Sequence, residues 1–364
     1  MNNLQDYSNE RVPENEGPRF RWLYLTNVEV AVAVCVPVFM FGAMLGQSMD
    51  MMHLGAALLL GGLILSLLTG WSSYIGVKTR LSTALLVKGS FGETGAKFVW
   101  LVLALSLFGW FGVQTELFAK AFLMLMKSSY PDVAMNPTLV TIVAGLLMSS
   151  TAILGIKGVG KLAQLSIPLL LGAMIYALYE VIAEKGIAAW VDFTPAAPMA
   201  VGAAVAAIVG GYSVGIITMP DVNRFALNKK HAITAGVVSL GICYPLLVLL
   251  TAMSTALTGE ADFMVLLMGL GMGSLTLVIL MLATWTTNDV NLYAASLSLA
   301  PMFPKVPRPW LTAVSGLLGT LVATFGLFEN MVGFFIILGV LTTPLLAIYS
   351  LDYLSGVFDR PFGD

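Results

Sequence analysis

Residues 272–299 read MGSLTLVILMLATWTTNDVNLYAASLSL, an apolar stretch long enough to cross a bilayer that contains the polar run Trp285-Thr286-Thr287-Asn288-Asp289. An ionisable group at the centre of a membrane helix costs about 2.5–3.5 kcal/mol on insertion, so such a run is stable mainly where it faces protein or a water-filled cavity. The run therefore predicts a transport site inside a membrane-spanning helix.

The composition of the whole chain is that of an all-α integral membrane protein. Of 364 residues, 58% are hydrophobic and 10% are charged, whereas a soluble domain carries about 25% charged residues. The net charge is −2 and Lys and Arg are scattered singly, which excludes nucleic-acid binding. Cys35, Cys243, His53 and His231 lie far apart, so we expect no disulfide, no transition-metal site and no cofactor. No nucleophile has a matching base at suitable spacing, so we do not expect an enzyme.

Ten apolar stretches of about twenty residues, the length that crosses a hydrocarbon core of about 30 Å, follow one another along the chain. The predicted spans are 27–48, 52–73, 96–126, 138–155, 160–183, 201–219, 232–257, 272–299, 309–327 and 330–354. Residues 1–26 precede them and are polar, and their acidic residues exclude a secretory signal peptide.

The distribution of Lys and Arg predicts the orientation of these spans in a cell (inner) membrane. With the N-terminus inside, fifteen of the eighteen Lys and Arg fall on the cytoplasmic side, while Lys127 and Lys185 fall outside and Lys120 lies within the third span. Ten spans then return the chain to the cytoplasm, with 1–26 and 355–364 as cytoplasmic tails.

Two spans contain helix-disrupting residues at matching places, five spans apart. The residues concerned are Pro37, Gly42 and Gly46 in the first span and Gly202, Gly210, Gly211, Gly215 and Pro220 in the sixth. Interrupted spans in corresponding positions of two halves are typical of inverted-repeat transporters, whose unwound backbone binds ligands near mid-membrane. We therefore predict broken helices 1 and 6 and two five-helix repeats, 27–183 and 201–354. Alternatively, these glycines only allow close helix packing.

The third span contains a second candidate constellation, Trp110 and Gln114. They are four residues apart, so on a helix they point the same way. An aromatic face beside an amide suits a flat polar heterocycle, whose ring stacks and whose edge is hydrogen-bonded. The alternative is a core tryptophan and an interhelical glutamine. Glu116 is a candidate proton carrier, unless Lys120 pairs with it one turn later.

The sixth and eighth spans add further candidate ligands. Gly211-Tyr212-Ser213 lies at the predicted break, where Tyr212 would cover the other face of a ring, although a lone tyrosine usually packs. In the eighth span, the Thr286 and Thr287 hydroxyls and the Ala283 carbonyl offer oxygens to Na⁺. The alternative for both threonines is a bond back to their own helix.

Three polar residues lie on the neighbouring faces of the eighth span. Asn288 and Asn291 are candidate substrate-binding residues. Asp289 is either a proton or charge site or a buried acid paired with a lysine of an inner loop.

Three stretches resemble the nucleobase:cation symporter-1 family, most closely its bacterial cytosine permease branch. They are Tyr74-Ile75-Gly76-Val77-Lys78-Thr79 with Ser90-Phe91-Gly92, then Gly109-Trp110-Phe111-Gly112, and then Trp285-Thr286-Thr287-Asn288-Asp289 with Leu292-Tyr293-Ala294. The resemblance implies a LeuT-like fold of two inverted five-helix repeats. It also implies uptake of a nucleobase or related heterocycle driven by Na⁺ or protons.

The resemblance also assigns roles to individual residues. Trp110 corresponds to the stacking tryptophan, Gln114 to the hydrogen-bonding glutamine of the hydantoin-transporting branch, and Gly211 and Tyr212 to the pair that covers the other face of the ring. A sodium site is implied at Ala283, Thr286 and Thr287, completed by the backbone carbonyls of Ala31 and Val34.

The chain departs from the family pattern in three ways. Leu107 stands where cytosine permeases carry Gln, and Glu116 is not expected at its position. The family commonly has twelve spans, so spans 11 and 12 are expected to be absent.

The sequence leaves three functions open. The first is a secondary transporter that imports cytosine or a related nucleobase with Na⁺. The second is a proton-coupled carrier of a thiamine-precursor pyrimidine or hydantoin-like ring that uses Glu116 or Asp289. The third is a nucleobase sensor that does not transport.

Overall fold

The computed structural model describes residues 10–13, 19–154 and 159–359, with side chains outside 154–167. Helices occupy all ten predicted spans within these ranges, which confirms the all-α class. The helices are α1 Trp22–Ala33, α2 Val36–Ser48, α3 Met51–Thr79, α4 Thr83–Ser129, α5 Pro137–Leu154, α6 Val159–Lys185, α7 Ala188–Val191, α8 Val201–Gly211, α9 Ser213–Asn223, α10 Lys229–Gly236, α11 Tyr244–Thr258, α12 Phe263–Leu267, α13 Gly273–Leu299, α14 Arg308–Ala323 and α15 Met331–Leu354. Two π-helical segments, Val237–Cys243 and Met268–Met272, and a 3₁₀ turn, Val357–Asp359, complete the set.

Six of the described helical segments are long and apolar enough to cross a membrane alone, and the α1–α2 pair makes a seventh. The 16 residues of α14 extend only about 24 Å. Large apolar side chains face outward along the helices, as Leu59, Leu63 and Leu67 do on one face of α3. Such a face is stable against lipid and would be costly in water.

The first span is broken, as predicted, and α1 and α2 meet at an angle of 67°. The break lies at Val34 and Cys35, just before Pro37 in the first turn of α2, where a missing N–H costs nothing. Gly42 and Gly46 lie inside regular helix, where a Cβ at either position would overlap α11 at Thr251 or Ala252. These two glycines therefore serve close packing and do not unwind the helix.

The sixth span is interrupted more mildly. A single residue, Tyr212, separates α8 from α9, and the two together still form one apolar span. The predicted bounds of this span, 201–219, end too early, because α9 continues through Pro220 to Asn223. Contacts beyond the proline hold the last turn: the Asp221 carboxylate accepts from the Thr83 N–H at 2.8 Å, and Asn223 bonds to α1.

Helix α13 lies at the centre of the bundle and packs against α4, α5, α6 and α14. Around it, α2 packs on α11, α3 packs on α8, α9 and α10, and α15 packs on α8, α9 and α4. The polar run of α13 is therefore enclosed by protein, as its composition predicted.

One end of the bundle, which we call the basic end, consists of residues 78–82, 224–231 and 300–308. It carries seven Lys or Arg residues, namely Lys78, Arg80, Arg224, Lys229, Lys230, Lys305 and Arg308. The segment before α1 is attached there, since Phe20 forms a parallel bridge with Ala226 and the Val12 N–H donates to the Arg80 carbonyl at 3.1 Å.

Candidate functional site

A cavity of about 770 Å³ runs between α4, α9 and α13 from the break in the first span to the basic end. Its inner part is lined by Val32, Cys35, Trp110, Gln114, Gly211, Tyr212, Thr287 and Asn291. Its mouth is lined by Ser82, Thr83, Arg224, Phe303 and Val306. The structure thus brings together most of the predicted substrate residues in one cavity that extends to the basic end.

Trp110 is half-buried in the cavity wall and belongs to an aromatic group. Its ring centroid lies 5.1 Å from that of Phe335, 6.1 Å from that of Phe334 and 6.4 Å from that of Tyr212, with a tilt of 53° to Tyr212. For a flat ligand to stack between two aromatic rings, those two rings must lie about 7 Å apart, twice the usual contact distance of about 3.5 Å. A small opening of the Trp110–Tyr212 pair would therefore admit a flat ligand.

Gln114 is 1% exposed, and neither its Oε1 nor its Nε2 has a hydrogen-bond partner among the described residues. Each buried polar group left unpaired costs about 1–3 kcal/mol. Because Gln114 lines the cavity one turn after Trp110, a ligand that offers both a donor and an acceptor would satisfy it. The Leu107 side chain lines the same wall and offers no hydrogen bond.

The two predicted asparagines have different positions. Asn291 lines the cavity and donates to Asn288 Oδ1 at 3.3 Å. Asn288 is fully buried between helices, where it donates to the Phe111 carbonyl at 3.1 Å and to Thr115 Oγ1 at 3.0 Å. Asn288 therefore joins α13 to α4 and orients Asn291 from behind.

Gly211 and Ser213 are placed by packing on either side of Tyr212. A Cβ on Gly211 would lie 2.9 Å from the Phe335 ring, so only glycine lets α8 approach α15 there. Ser213 lies outside the cavity lining, and its hydroxyl donates to the Gly210 carbonyl at 2.7 Å.

The residues of the predicted sodium site are described by their hydrogen bonds, first in the eighth span and then at the break in the first span. The Thr286 and Thr287 hydroxyls both donate to the Ala283 carbonyl at 2.9 Å, which is the bond back to the helix considered above. At the break in the first span, the Cys35 and Val38 N–H groups donate to Ala33 and Cys35. The carbonyls of Ala31 and Val34 are thereby released from the bonds they would accept in a continuous helix.

Glu116 lies outside the cavity, toward the end of the bundle opposite the basic end. Its Oε2 accepts from the Phe328 N–H at 2.6 Å, which fixes the turn between α14 and α15. The alternative in which Lys120 pairs with Glu116 is wrong, because Lys120 Nζ lies 2.5 Å from Asp262 Oδ2 and over the Phe328 ring. The loop before α12 therefore supplies the counterion.

Asp289 is 2% exposed and also lies outside the cavity lining. Its Oδ1 accepts from the Thr151 hydroxyl at 3.0 Å, and that hydroxyl oxygen accepts from Trp285 Nε1 at 2.8 Å. Lys157 and Lys161, the inner-loop lysines that could pair with it, lie outside the described side chains.

Sequence reasoning missed Glu29, a buried acid of α1 whose two carboxylate oxygens accept from Asn223 and Ser239. Its signal was present, since Glu29 lies within the predicted span 27–48 and an acid inside a span indicates function. The mouth residues Thr83 and Arg224 gave no such signal.

Comparisons with known proteins identify the family of this chain. The family described as "Permease for cytosine/purines, uracil, thiamine, allantoin" matches residues 12–357. The chain belongs to this family. The cytosine permease of Escherichia coli strain K12 is 30% identical over 352 residues, which are 96% of this chain and 82% of that protein.

Solved structures show the fold of this permease. Mhp1 in its inward-facing conformation matches with a TM-score of 0.80 at 21% identity, over 97% of this chain and 82% of the other. Mhp1 in a closed conformation with bromovinylhydantoin bound matches with a TM-score of 0.77 at 20% identity. This match covers 97% of this chain and 85% of the other. The expected LeuT-like fold is confirmed, and the chain is a multi-pass membrane permease and not an enzyme.

Proposed function

We propose that this permease imports cytosine or a closely related nucleobase-like heterocycle together with a cation, for which Na⁺ fits best. The observation that best supports the substrate class is the Gln114 amide beside the Trp110 ring in the cavity, which has no hydrogen-bond partner in the part of the chain that the structure describes. A flat ring with adjacent donor and acceptor groups stacks on one and bonds to the other. Leu107 removes one hydrogen bond from the wall, so the exact base is set by Gln114 and Asn291.

Five neutral oxygens support a sodium site. They are the carbonyls of Ala31, Val34 and Ala283 and the hydroxyls of Thr286 and Thr287, and hard cations prefer such ligands. A cation that moves inward gains about 2.3 kcal/mol per charge per 100 mV, which can drive uptake of a neutral base.

Tyr212 connects the two sites in this proposal. Its hydroxyl donates to the Val32 carbonyl at 3.2 Å, in the last turn of α1 next to the break, while its ring lies beside that of Trp110. A cation that orders the carbonyls of the break would hold Tyr212 in place for the substrate, and this would couple the two binding events.

In the proposed orientation, the permease lies in the inner membrane. Its basic end and both termini face the cytoplasm. The cavity then opens inward, as in a state that releases substrate. The repeats 27–183 and 201–354 would alternate access around it.

The test is equilibrium binding of radiolabelled cytosine to purified permease with and without Na⁺. Uracil, adenine, hydantoin and hydroxymethylpyrimidine serve as competitors. Thr286→Ala is expected to weaken both cytosine binding and its dependence on Na⁺, because coupling between two ligands is reciprocal. Thr342→Ala is the matched control, since Thr342 is equally buried and bonds back to Leu338 in α15, away from the cavity. Unchanged sodium dependence in Thr286→Ala would overturn the sodium assignment.

A further inference from the structure

One face of α4 lines the cavity from the proposed substrate site toward the basic end. Trp100, Leu103, Leu107, Trp110 and Gln114 all belong to the lining. Their spacings of three, four, three and four residues place them on one face of a helix. At 1.5 Å per residue, Trp100 lies about 15 Å from Trp110 in the direction of the basic end. A base that leaves the proposed substrate site for the basic end would pass along this face.

Trp100 carries a second buried polar group of this wall that lacks a partner. Its side chain is 5% exposed, and its Nε1 has no hydrogen-bond partner among the described residues. An indole N–H can only donate, and a buried donor without an acceptor is costly. A ligand in the adjacent cavity that offers an acceptor, such as a ring carbonyl, would satisfy it.

Ser298 of α13 lies at the same depth as Trp100. The Asn288 amide donates to the Phe111 carbonyl, so these two residues are level with each other. The chain runs away from the basic end in α4 and toward it in α13. Ser298 is ten residues after Asn288, and Trp100 is eleven residues before Phe111, so both lie about 15 Å nearer the basic end.

The Ser298 hydroxyl complements the Trp100 donor. Ser298 lines the cavity, and its hydroxyl donates to the Ala294 carbonyl at 3.1 Å. Its proton is therefore used within its own helix, and the lone pairs of its oxygen can accept from a ligand. Trp100 and Ser298 together offer one donor and one acceptor, as the Gln114 amide does in the proposed substrate site.

An apolar stretch separates the two polar positions of the wall. Leu103 and Leu107 lie between Trp100 and Trp110 and offer no hydrogen bond. The cavity of about 770 Å³ lies within the range of about 300–1,000 Å³ that holds drug-sized ligands. It therefore has room for a single heterocycle at either position, and the leucines divide the two positions from each other.

We propose that Trp100 and Ser298 form a second binding subsite for a flat neutral heterocycle, between the proposed substrate site and the basic end. The Trp100 N–H donates to a carbonyl or ring nitrogen of the ligand, and the Ser298 oxygen accepts from a ligand N–H. The ligand occupies this subsite after it leaves Trp110 and Gln114. That the ligand is a transported base rests on the proposed function.

The subsite is tested by equilibrium dialysis of radiolabelled cytosine against the purified full-length permease. The wild type should bind two cytosines per chain at saturation, and the double variant Trp110→Ala/Gln114→Leu should retain one. Adding Trp100→Phe to the double variant should weaken the retained binding about tenfold, because one hydrogen bond is lost. Trp190→Phe is the matched control, since Trp190 is 8% exposed, its Nε1 also lacks a partner among the described residues, and it lies outside the cavity lining.

Ser298→Ala in the same double variant gives a second readout if Trp100→Phe does not fold. It should also weaken the retained binding several-fold. Ser350→Ala is its control, because Ser350 is similarly half-buried and its hydroxyl donates to the Leu346 carbonyl in α15, outside the cavity lining.

The outcomes separate this subsite from the proposed function. Retained binding that neither Trp100→Phe nor Ser298→Ala weakens, or that Trp190→Phe weakens equally, would overturn the subsite. If the wild type binds one cytosine and the double variant none, the subsite fails and the proposed function stands. If the variants behave as expected but the wild type takes up no cytosine in proteoliposomes, the subsite stands and the proposed function fails. No cytosine binding by the folded wild type would overturn both.

Discussion

At the scale of single residues, the cavity is built at a cost in stability. Gln114 has a buried amide without a hydrogen-bond partner among the described residues, and Trp110 keeps a half-buried face toward the cavity. In the proposed site, a bound ligand would stack on the free face of Trp110 and supply hydrogen bonds to Gln114. Sequence reasoning found both residues, because helical spacing decides which side chains share a face.

Gln114→Leu is expected to have opposite effects on stability and on binding. Cytosine binding should weaken at least tenfold, because one or two hydrogen bonds of about 1 kcal/mol or more are lost. The melting temperature should stay unchanged or rise, because an unpaired amide is removed. Gln47→Leu is the control, since Gln47 Nε2 donates to the Thr255 carbonyl, and its loss should lower the melting temperature. Thermal unfolding in detergent measures the effect on stability, and cytosine binding measures the effect on affinity. A large drop in melting temperature for Gln114→Leu would contradict this account.

Trp110→Ala is expected to weaken substrate binding through lost stacking, which is worth about 1–3 kcal/mol per base. Trp110→Phe should retain part of the affinity. Trp310→Ala, at a tryptophan that is 68% exposed on α14, should leave binding unchanged. Equal affinities for Trp110→Ala and the wild type would exclude Trp110 from the substrate site.

At the scale of elements, glycine alone did not reveal where a helix unwinds. Gly42 and Gly46 lie in regular helix, and the first span breaks at Val34 and Cys35, which carry no such signal of their own. Whether a glycine relieves a close contact or allows a break depends on the neighbouring helix, which the local sequence does not contain. For the same reason, the position of Asn288 between α13 and α4 and the pairing of Lys120 with Asp262 were not predictable.

Two glycines of α8 differ in whether a neighbouring helix lies close to them, so they form a matched pair of test positions. A Cβ on Gly210 would overlap the Phe335 carbonyl of α15, whereas nothing lies within 4 Å of a Cβ on Gly202. Gly210→Ala should therefore separate α8 from α15, lower thermal stability and reduce uptake. Gly202→Ala should be neutral or stabilising by up to about 1 kcal/mol. Equal melting temperatures for the two variants would show that the α8–α15 contact is looser than described.

Asn288→Leu is expected to act on the packing of α13 against α4. It leaves the Phe111 carbonyl and Thr115 without their shared donor, a loss of about 1–3 kcal/mol. Thermal stability should fall while the order of preference among competing bases stays the same. A changed order with normal stability would instead place Asn288 in contact with substrate.

At the scale of the whole molecule, composition and ten apolar stretches were enough to predict an all-α integral membrane protein. The family resemblance of three short stretches implied the LeuT-like fold, which the solved structures confirm. The state of its cavity was not predictable, because inward and outward openings use the same sequence. Orientation is open to a direct test. Lys305→Cys at the basic end should react with a membrane-impermeant thiol reagent only from the cytoplasmic side, and Tyr130→Cys, which is 60% exposed beyond α4, only from outside. The reverse pattern would invert the proposed topology.

In the proposed mechanism, cytosine or a similar base enters with a cation through the cavity lined by Trp110 and Gln114. The most direct measurement is uptake of radiolabelled cytosine into proteoliposomes under an imposed inward sodium gradient, compared with equal sodium on both sides. We predict uptake above equilibrium only with the gradient, and its loss in Gln114→Leu. Cytosine uptake that does not depend on the sodium gradient, or no cytosine uptake by well-folded protein, would contradict sodium-coupled import.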